Sequence, residues 1–167
     1  MIKVLFVCLG NICRSPMAEA MFRDVVQKEG LEGQIQVDSA GTGNWHLGHP
    51  PHQGTLEILK KYEISPEGLK ARQIQPSDIE EFEYIIAMDS NNKSDIEKLE
   101  AKFPKAKVEM LLHFVPEMKD KNIPDPYFTG NFQEVYELIK QGCENLLEHI
   151  LEADLKGKRG EISGKYE

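Results

Sequence analysis

The chain has 167 residues, of which 40% are hydrophobic and 29% are charged, and its formal net charge is −8. This length and composition are typical of a single globular domain with a substantial core. The acidic balance, with no run of Lys and Arg, argues against nonspecific binding to nucleic acids or anionic membranes, and no apolar stretch approaches the roughly 20 residues that span a bilayer.

The N-terminal residues and the cysteines indicate the compartment. The apolar run that ends at Val7 is too short and wrongly flanked for a signal peptide. Three cysteines are an odd number and far below the density of a disulfide scaffold. We therefore expect a cytoplasmic protein with reduced thiols; export without a signal peptide remains an alternative. We also expect a monomer.

Apolar, β-branched runs alternate along the chain with segments of helical periodicity. The runs that predict buried strands are Lys3–Val7, Ile35–Ala40, Tyr84–Met88 and Lys107–Phe114. The helices are predicted from an N-cap at Ser15 to near Gly30, over Thr55–Tyr62, from Asp89, and from Asn131, whose spacing to Glu134 fits a capping box.

This alternation predicts one α/β domain over residues 1–154, with three layers: a four-stranded parallel sheet and helices on both of its faces. The long connection from Val115 to Gly130 is of a length that is often functional. Residues 155–167 are polar and Gly-rich, so we expect a disordered tail.

The segment after the first predicted strand carries the clearest chemistry. Cys8 ends the strand, and Arg14 follows six residues later at the start of a helix. The amides of a tight loop and a helix N-terminus form a concave site for a tetrahedral oxyanion, and an Arg side chain can bind two of its oxygens at once. The same positive field would favour the thiolate of Cys8, which is the nucleophilic form.

Two further residues of the loop fit phosphate-ester chemistry. Gly10 permits a backbone geometry that a Cβ would forbid, and the Ser15 hydroxyl is placed to cap the helix and to donate to the thiolate. Nucleotide binding is not indicated, because the loop has no Gly-Lys-Ser/Thr ending and no G-x-G-x-x-G pattern.

The sequence CLGNICRSPMAE, from Cys8 to Glu19, closely resembles the signature of the low-molecular-weight protein tyrosine phosphatases. The resemblance covers roughly residues 2–152 and continues in DSAGT at 38–42, ARQ at 71–73, AMD at 87–89 and DPY at 125–127. It implies the family's flavodoxin-like fold of the phosphotyrosine phosphatase I type, in agreement with the alternation of strands and helices.

The resemblance also implies an activity: hydrolysis of phosphotyrosine in a protein or peptide, with inorganic phosphate as product and without metal or organic cofactor. Cys8 would be the nucleophile that forms a cysteinyl-phosphate, Arg14 would bind the phosphoryl oxygens, and Asp125 would act as general acid and then as general base. The residues implied to surround the substrate are Leu9, Gly10, Asn11, Ile12, Cys13, Ser15, Trp45 and Tyr127. Among them, Trp45 and Tyr127 would enclose the substrate ring.

The chain departs from the family pattern at three places. Leu69 stands where many members have His, His52 follows the Pro-Pro pair where many have Arg, and Phe128 replaces a second Tyr after Asp-Pro. These differences fall on the rim of the expected cleft and bear on peptide preference.

Three other functions fit part of the pattern. Arsenate reduction on the same fold needs relay cysteines between residues 14 and 142, where none occurs, and Cys143 falls on the apolar face of the last helix. Protein arginine phosphatases have a similar loop but carry Thr in place of Ile12, which would crowd a guanidinium group. A non-catalytic phosphate-binding or redox-sensing module is opposed by the presence of Cys8, Arg14 and Asp125.

Several side chains keep two interpretations. Cys13 either packs inside the loop or forms a reversible disulfide with Cys8. Asp89 either caps the following helix or supports the phosphate-binding loop, and Trp45 fits a rim position better than a buried one. The loop histidines, whose spacing matches no metal site and which we expect to be exposed, are His46, His49 and His52.

Overall fold

The computed structural model describes residues 1–155. Its four strands form one parallel sheet in the order β2-β1-β3-β4. The strands are β1 Ile2–Cys8, β2 Ile35–Gly41, β3 Tyr84–Ala87 and β4 Lys107–Met110. The predicted parallel sheet is confirmed. Residues 156–167 of the expected tail lie outside the described residues, and Leu155 packs against the core.

Helices cover both faces of the sheet, as predicted. The α-helices are α1 Arg14–Lys28, α2 Gln53–Lys61, α3 Pro76–Glu81, α4 Ser90–Glu97, α5 Pro126–Thr129 and α6 Phe132–Ala153. Two short 3-10 helices, Leu111–Phe114 and Pro116–Met118, follow β4. One core cluster contains side chains of α1, α2 and α6, and a second contains side chains of α3 and α4.

The central strand β1 explains how the two cores form. Val4 and Phe6 belong to the first cluster, whereas Leu5 and Val7 belong to the second, because successive side chains of a strand point to opposite faces. Cys8 continues the first series and therefore faces the side of α1. The strand order reverses between β1 and β3, which is where ligands bind in open α/β sheets.

Two expectations about the elements were wrong, and one helix was not predicted. The apolar run predicted as one strand to Phe114 leaves the sheet after Met110 and becomes a 3-10 helix, whose Leu111 packs where Gly142 of α6 has no side chain. Helix α3 was not predicted, although it begins with Pro76 and Asp78 Oδ2 accepts from the Gln75 amide at 2.7 Å. Helix α1 begins at Arg14, so Ser15 lies inside it rather than at its cap.

Candidate active site

The loop between β1 and α1, residues 8–14, is held from outside by hydrogen bonds to its carbonyl groups. We call it the phosphate loop. The backbone amides of Thr42 and Gly43 donate to the carbonyls of Cys8 and Leu9, both at 2.9 Å. On the other side, the His52 amide donates to the Ile12 carbonyl at 2.7 Å. The Thr55 hydroxyl donates to the Cys13 carbonyl at 3.0 Å.

These hydrogen bonds to the carbonyls also orient the N–H groups of the same peptides. In a planar trans peptide the carbonyl and the following N–H point in opposite directions, and residues 1–155 contain no cis peptide bond. Anchoring the carbonyls of residues 8, 9, 12 and 13 therefore turns the N–H groups of residues 9, 10, 13 and 14 away from the supporting elements. Such convergent amides are the usual components of an anion-binding concavity.

The backbone turn of the loop is made by Asn11, whose φ is 55°. We had expected Gly10 to supply the unusual geometry; Asn tolerates the left-handed region because its short side chain bonds locally. Asn11 Oδ1 accepts from the Arg72 amide at 3.0 Å. Gly10 instead allows a close approach, since a Cβ there would lie 3.1 Å from His46 Cδ2.

Cys8 lies at one end of a buried chain of hydrogen bonds. Ser15 Oγ is 3.0 Å from Cys8 Sγ. Asn11 Nδ2 donates to Ser15 Oγ at 2.7 Å and to Ser39 Oγ at 3.0 Å. Because Asn11 occupies a lone pair of Ser15, the Ser15 hydroxyl is left to donate, and its two acceptors are Cys8 Sγ at 3.0 Å and the Ala40 carbonyl at 3.4 Å. A hydroxyl that donates to the sulfur favours its thiolate form.

The far end of this chain is a buried carboxylate. Ser39 Oγ donates to Glu19 Oε1 at 2.6 Å, and Arg23 pairs with Glu19 Oε2. Burial raises the pKa of Glu19, and the hydrogen bonds from Ser39 and Arg23 oppose that rise. The series of hydrogen bonds therefore connects Cys8 through four polar residues to Arg23, whose side chain is part-exposed.

Arg14 is 2% exposed and is held by three oxygen atoms. Its Nη1 donates to Asp89 Oδ2 at 2.7 Å and to the Ile123 carbonyl at 2.8 Å, and its Nη2 lies 3.4 Å from Asp125 Oδ2. Its Nε is buried and has no hydrogen-bond partner. Asp89 also caps α4 through Asn92, so both interpretations of Asp89 apply.

Asp125 is placed at the start of α5. Its Oδ1 accepts from the Tyr127 amide at 3.0 Å as the N-cap of that helix, which leaves Oδ2 facing Arg14. The Ile123 amide donates to the carbonyl of Met88, the residue after β3, at 2.9 Å, so this segment is held beside the phosphate loop. The turn and the carboxylate interpretations of Asp125 are thus compatible.

A cavity of about 220 Å³ opens over the phosphate loop. Its lining residues are Cys8, Leu9, Gly10, Ile12, Cys13, Trp45, His46, Asp125, Tyr127 and Phe128. Trp45 and Tyr127 are 66% and 56% exposed and form the rim. The Trp45 ring lies directly over Gly43, where any Cβ would collide with it. Asn11, Arg14 and Ser15 are buried and are not among the lining residues.

The three cysteines are free thiols. Burial raises the pKa of the Cys13 thiol to about 12, with further increases from nearby Cys8 and Asp125 and an opposing effect from Arg14. Burial likewise raises the pKa of Cys143, which is enclosed by the core. Both thiols are therefore held neutral, whereas Cys8 alone has the Ser15 hydroxyl beside it.

The family follows from comparison with known proteins. The family model described as low molecular weight phosphotyrosine protein phosphatase matches residues 3–157. The chain belongs to this family.

Curated and solved relatives cover most of the chain. The low molecular weight protein-tyrosine-phosphatase YfkJ of Bacillus subtilis is 54% identical over 150 residues, 90% of this chain and 96% of YfkJ. The crystal structure of YfkJ matches with a TM-score of 0.88 at 52% identity, over 92% of this chain and 97% of that one. A crystal structure named Drosophila arginine phosphatase matches with a TM-score of 0.84 at 36% identity, over 92% and 100%.

Sequence reasoning missed residues that support this phosphatase-family site from a distance. They are Glu19, Arg23, Ser39, His52, Thr55 and Arg72. His46 and His52 were expected to be exposed but are half-buried, since His46 lies over Gly10 and the His52 ring stacks on Phe132. The local signal for His52 was its position just before a predicted helix.

Two findings concern other classes of site. Within residues 1–155, no group of three or more His, Cys, Asp or Glu side chains is arranged to hold a metal ion. In that same part of the chain, no helix combines the length and the apolar character needed to cross a membrane.

Proposed function

We propose that this protein is a protein-tyrosine-phosphatase that hydrolyses phosphotyrosine monoesters through a cysteinyl-phosphate intermediate. The observation that carries this proposal is the state of Arg14. Its Nη1 is fixed by Asp89 and Ile123, while its buried Nε lacks an acceptor. A buried donor without a partner is costly, and a phosphoryl oxygen bound beside Cys8 would supply the missing acceptor.

In the proposed first step, Cys8 Sγ attacks phosphorus and the bond to the tyrosine oxygen breaks. Asp125 donates its proton to that oxygen, so that a neutral phenol leaves. In the second step, water attacks the cysteinyl-phosphate, Asp125 takes a proton from the water, and the Sγ–P bond breaks to release inorganic phosphate and the thiolate. Arg14 and the loop amides neutralise the charge on the phosphoryl oxygens in both steps.

The cavity supports an aromatic ester as substrate. Leu9, Gly10, Asn11, Ile12, Cys13 and Ser15 form or support the phosphate loop, and Trp45 and Tyr127 stand on its rim. We propose that these two rings enclose the substrate ring, since offset and edge contacts between aromatic rings are favourable. We further propose a cytoplasmic monomer as the active unit, because one chain supplies the whole cavity and a thiol nucleophile requires a reducing compartment.

A second candidate is a protein arginine phosphatase, favoured by the likeness to the Drosophila arginine phosphatase structure. The position of Ile12 in the cavity lining opposes it, because a branched apolar side chain would desolvate a guanidinium group without offering an acceptor. Turnover of matched phosphotyrosine and phosphoarginine peptides decides between the two. Faster turnover of the phosphoarginine peptide would reject the tyrosine assignment.

The first experiment measures hydrolysis of p-nitrophenyl phosphate with chelator present. Wild type and Cys143→Ala, which keeps that core position apolar, should both turn over, and Cys8→Ser should be inactive. Turnover in Cys8→Ser at the wild-type rate would show that the nucleophile is another residue. No turnover by reduced wild type would reject the phosphatase proposal.

The acid role is tested with aryl phosphates whose leaving groups differ in basicity. Asp125→Ala should slow esters of poor leaving groups far more than esters of good ones, because only poor leaving groups need protonation. Asp120→Ala, an exposed carboxylate in the same connection, is the matched control. A uniform loss across the series would contradict the acid role.

A further inference from the structure

His52 lies between the two segments that would meet the substrate. His52 immediately precedes α2, and it contacts Ile12 of the phosphate loop, Tyr127 of α5 and Phe132 of α6. These partners are 40, 75 and 80 residues away in the sequence. A single side chain with its backbone thus contacts three separate elements around the cavity.

The backbone of His52 supports the phosphate loop. Its N–H donates to the Ile12 carbonyl at 2.7 Å, which fixes the plane of the peptide between Ile12 and Cys13. The side chain of His52 acts as the N-cap of α2, since its Nδ1 accepts from the Gly54 amide at 3.0 Å. An accepting Nδ1 leaves the proton of the neutral ring on Nε2.

The ring of His52 contacts the wall of the cavity. It stacks on Phe132 with ring centroids 5.1 Å apart and forms a T-shaped contact with Tyr127, with centroids 6.1 Å apart and planes at 78°. Phe132 can lie this close because Gly54 has no side chain; a Cβ there would be 2.4 Å from the Phe132 ring. Tyr127 is 56% exposed, and its ring also meets that of its neighbour Phe128, with centroids 5.3 Å apart. Phe128 belongs to the same short helix, so His52 supplies a ring contact from outside α5.

We propose that His52 is a positioning residue: it holds the Tyr127 ring, which forms one wall of the cavity, at a fixed distance from the phosphate loop. The inference rests on the proposed function, because it assigns Tyr127 to the substrate ring. His52 itself does not touch the reacting atoms. It acts through Tyr127 on substrate binding and through Ile12 on the loop, and the first of these actions depends on the ring rather than on the cap.

Two substitutions separate the ring from the cap. His52→Asn keeps an N-cap acceptor and removes the ring, whereas His52→Phe keeps a ring and removes the acceptor. The KM of His52→Asn for an aryl phosphate should rise about three- to tenfold with kcat within about twofold, the range that an aromatic pair provides. The melting temperature of His52→Phe should fall by about 2–4 °C with KM unchanged. His113→Asn, far along the chain in a 3-10 helix, is the control.

A double-mutant cycle identifies the route of the effect. In a Tyr127→Ala background, His52→Asn should no longer raise KM, because the wall that the ring positions has been removed. An equal KM increase in both backgrounds, or a KM increase in His52→Phe as large as in His52→Asn, would overturn the proposal.

A readout without catalysis keeps this inference separate from the proposed function. Amide hydrogen exchange on the phosphate-free protein should quicken across residues 125–130 in His52→Asn and stay as in wild type in His52→Phe. Unchanged exchange in His52→Asn would reject the positioning role even if the enzyme is active. Inactive wild type with quickened exchange in His52→Asn would reject the phosphatase assignment and retain the link between His52 and α5.

Discussion

Asp89 holds Arg14 with one carboxylate oxygen and caps α4 with the other. Oδ2 accepts from Arg14 Nη1 at 2.7 Å, and Oδ1 accepts from the Asn92 amide at 2.8 Å. Asp89→Ser retains a cap oxygen but is too short to reach Arg14, whereas Asp89→Ala removes both contacts. Comparing the two substitutions therefore isolates the support of Arg14.

The two contacts of Asp89 set the expected loss of stability in each variant. Losing the cap costs about 1 kcal/mol, and losing a hydrogen bond to a charged group costs about 1.5–3 kcal/mol. The Asp89 side chain is 19% exposed, so water can replace part of its contact with Arg14 and the lower end of that range applies. The free energy of unfolding should thus fall by about 1.5 kcal/mol in Asp89→Ser and about 2.5 kcal/mol in Asp89→Ala.

Activity should respond to the Arg14 contact alone. In both variants Nη1 keeps only the Ile123 carbonyl, so the guanidinium is less well fixed and kcat/KM should fall about tenfold to the same value. Urea unfolding and p-nitrophenyl phosphate hydrolysis measure the two effects, with Asp95→Ala, an exposed acid of α4, as control. Wild-type kcat/KM in Asp89→Ser would show that Arg14 is held without Asp89 and refute the reasoning.

Gly41→Ala should lower the melting temperature and the activity together, because its Cβ would lie 2.9–3.1 Å from phosphate-loop backbone atoms that cannot move independently; an unchanged melting curve would contradict this. Glu19 has a pKa raised above its ordinary value of 4.5 by burial, so the folded state retains this proton to higher pH than the unfolded state. As pH rises from the ordinary pKa of a glutamate through the raised pKa of Glu19, the free energy of unfolding of wild type should therefore decrease. Glu19→Gln should lack this decrease; parallel pH profiles of the two proteins in urea titrations would exclude the effect. Phe128→Ser should lower kcat/KM about three- to tenfold for a phosphotyrosine peptide with apolar flanks and leave p-nitrophenyl phosphate unaffected. Phe103→Ser is the control, since Phe128 and Phe103 are 76% and 69% exposed but only Phe128 lines the cavity, and equal losses would refute a role at the rim.

The sheet and the phosphate loop were predictable because their signals are local. The first three strands coincide with apolar runs to within a residue, the fourth forms the first half of its run, and the sequence from Cys8 to Arg14 contains the loop between β1 and α1. One local signal was misleading: the Ser15-Pro16 pair has the pattern of a helix start, but the helix begins at Arg14. The Ser15 hydroxyl turns inward to Cys8, and Cys13 takes the cap position without a side-chain bond.

Contacts over long sequence separations could not be predicted. Asn11 bonds Ser39 and Arg72, which are 28 and 61 residues away, and nothing in the local pattern around any of the three indicates the pairing. Such partners are set by the packing of whole elements, which a linear pattern of hydrophobic residues does not specify. The Arg72 side chain illustrates this, since its guanidinium bonds Asp38 and Asp78 from two different elements.

The outward carbonyls of the phosphate loop are bonded within the protein, to residues just after β2 and to residues at the start of α2. A free loop would lose about 1–2 kcal/mol of conformational entropy for each residue that an arriving anion had to order. Here the folding of the domain has removed that entropy beforehand. The attraction between a phosphate and the loop amides is therefore not reduced by the cost of ordering the loop, and that cost is also absent when the transition state forms.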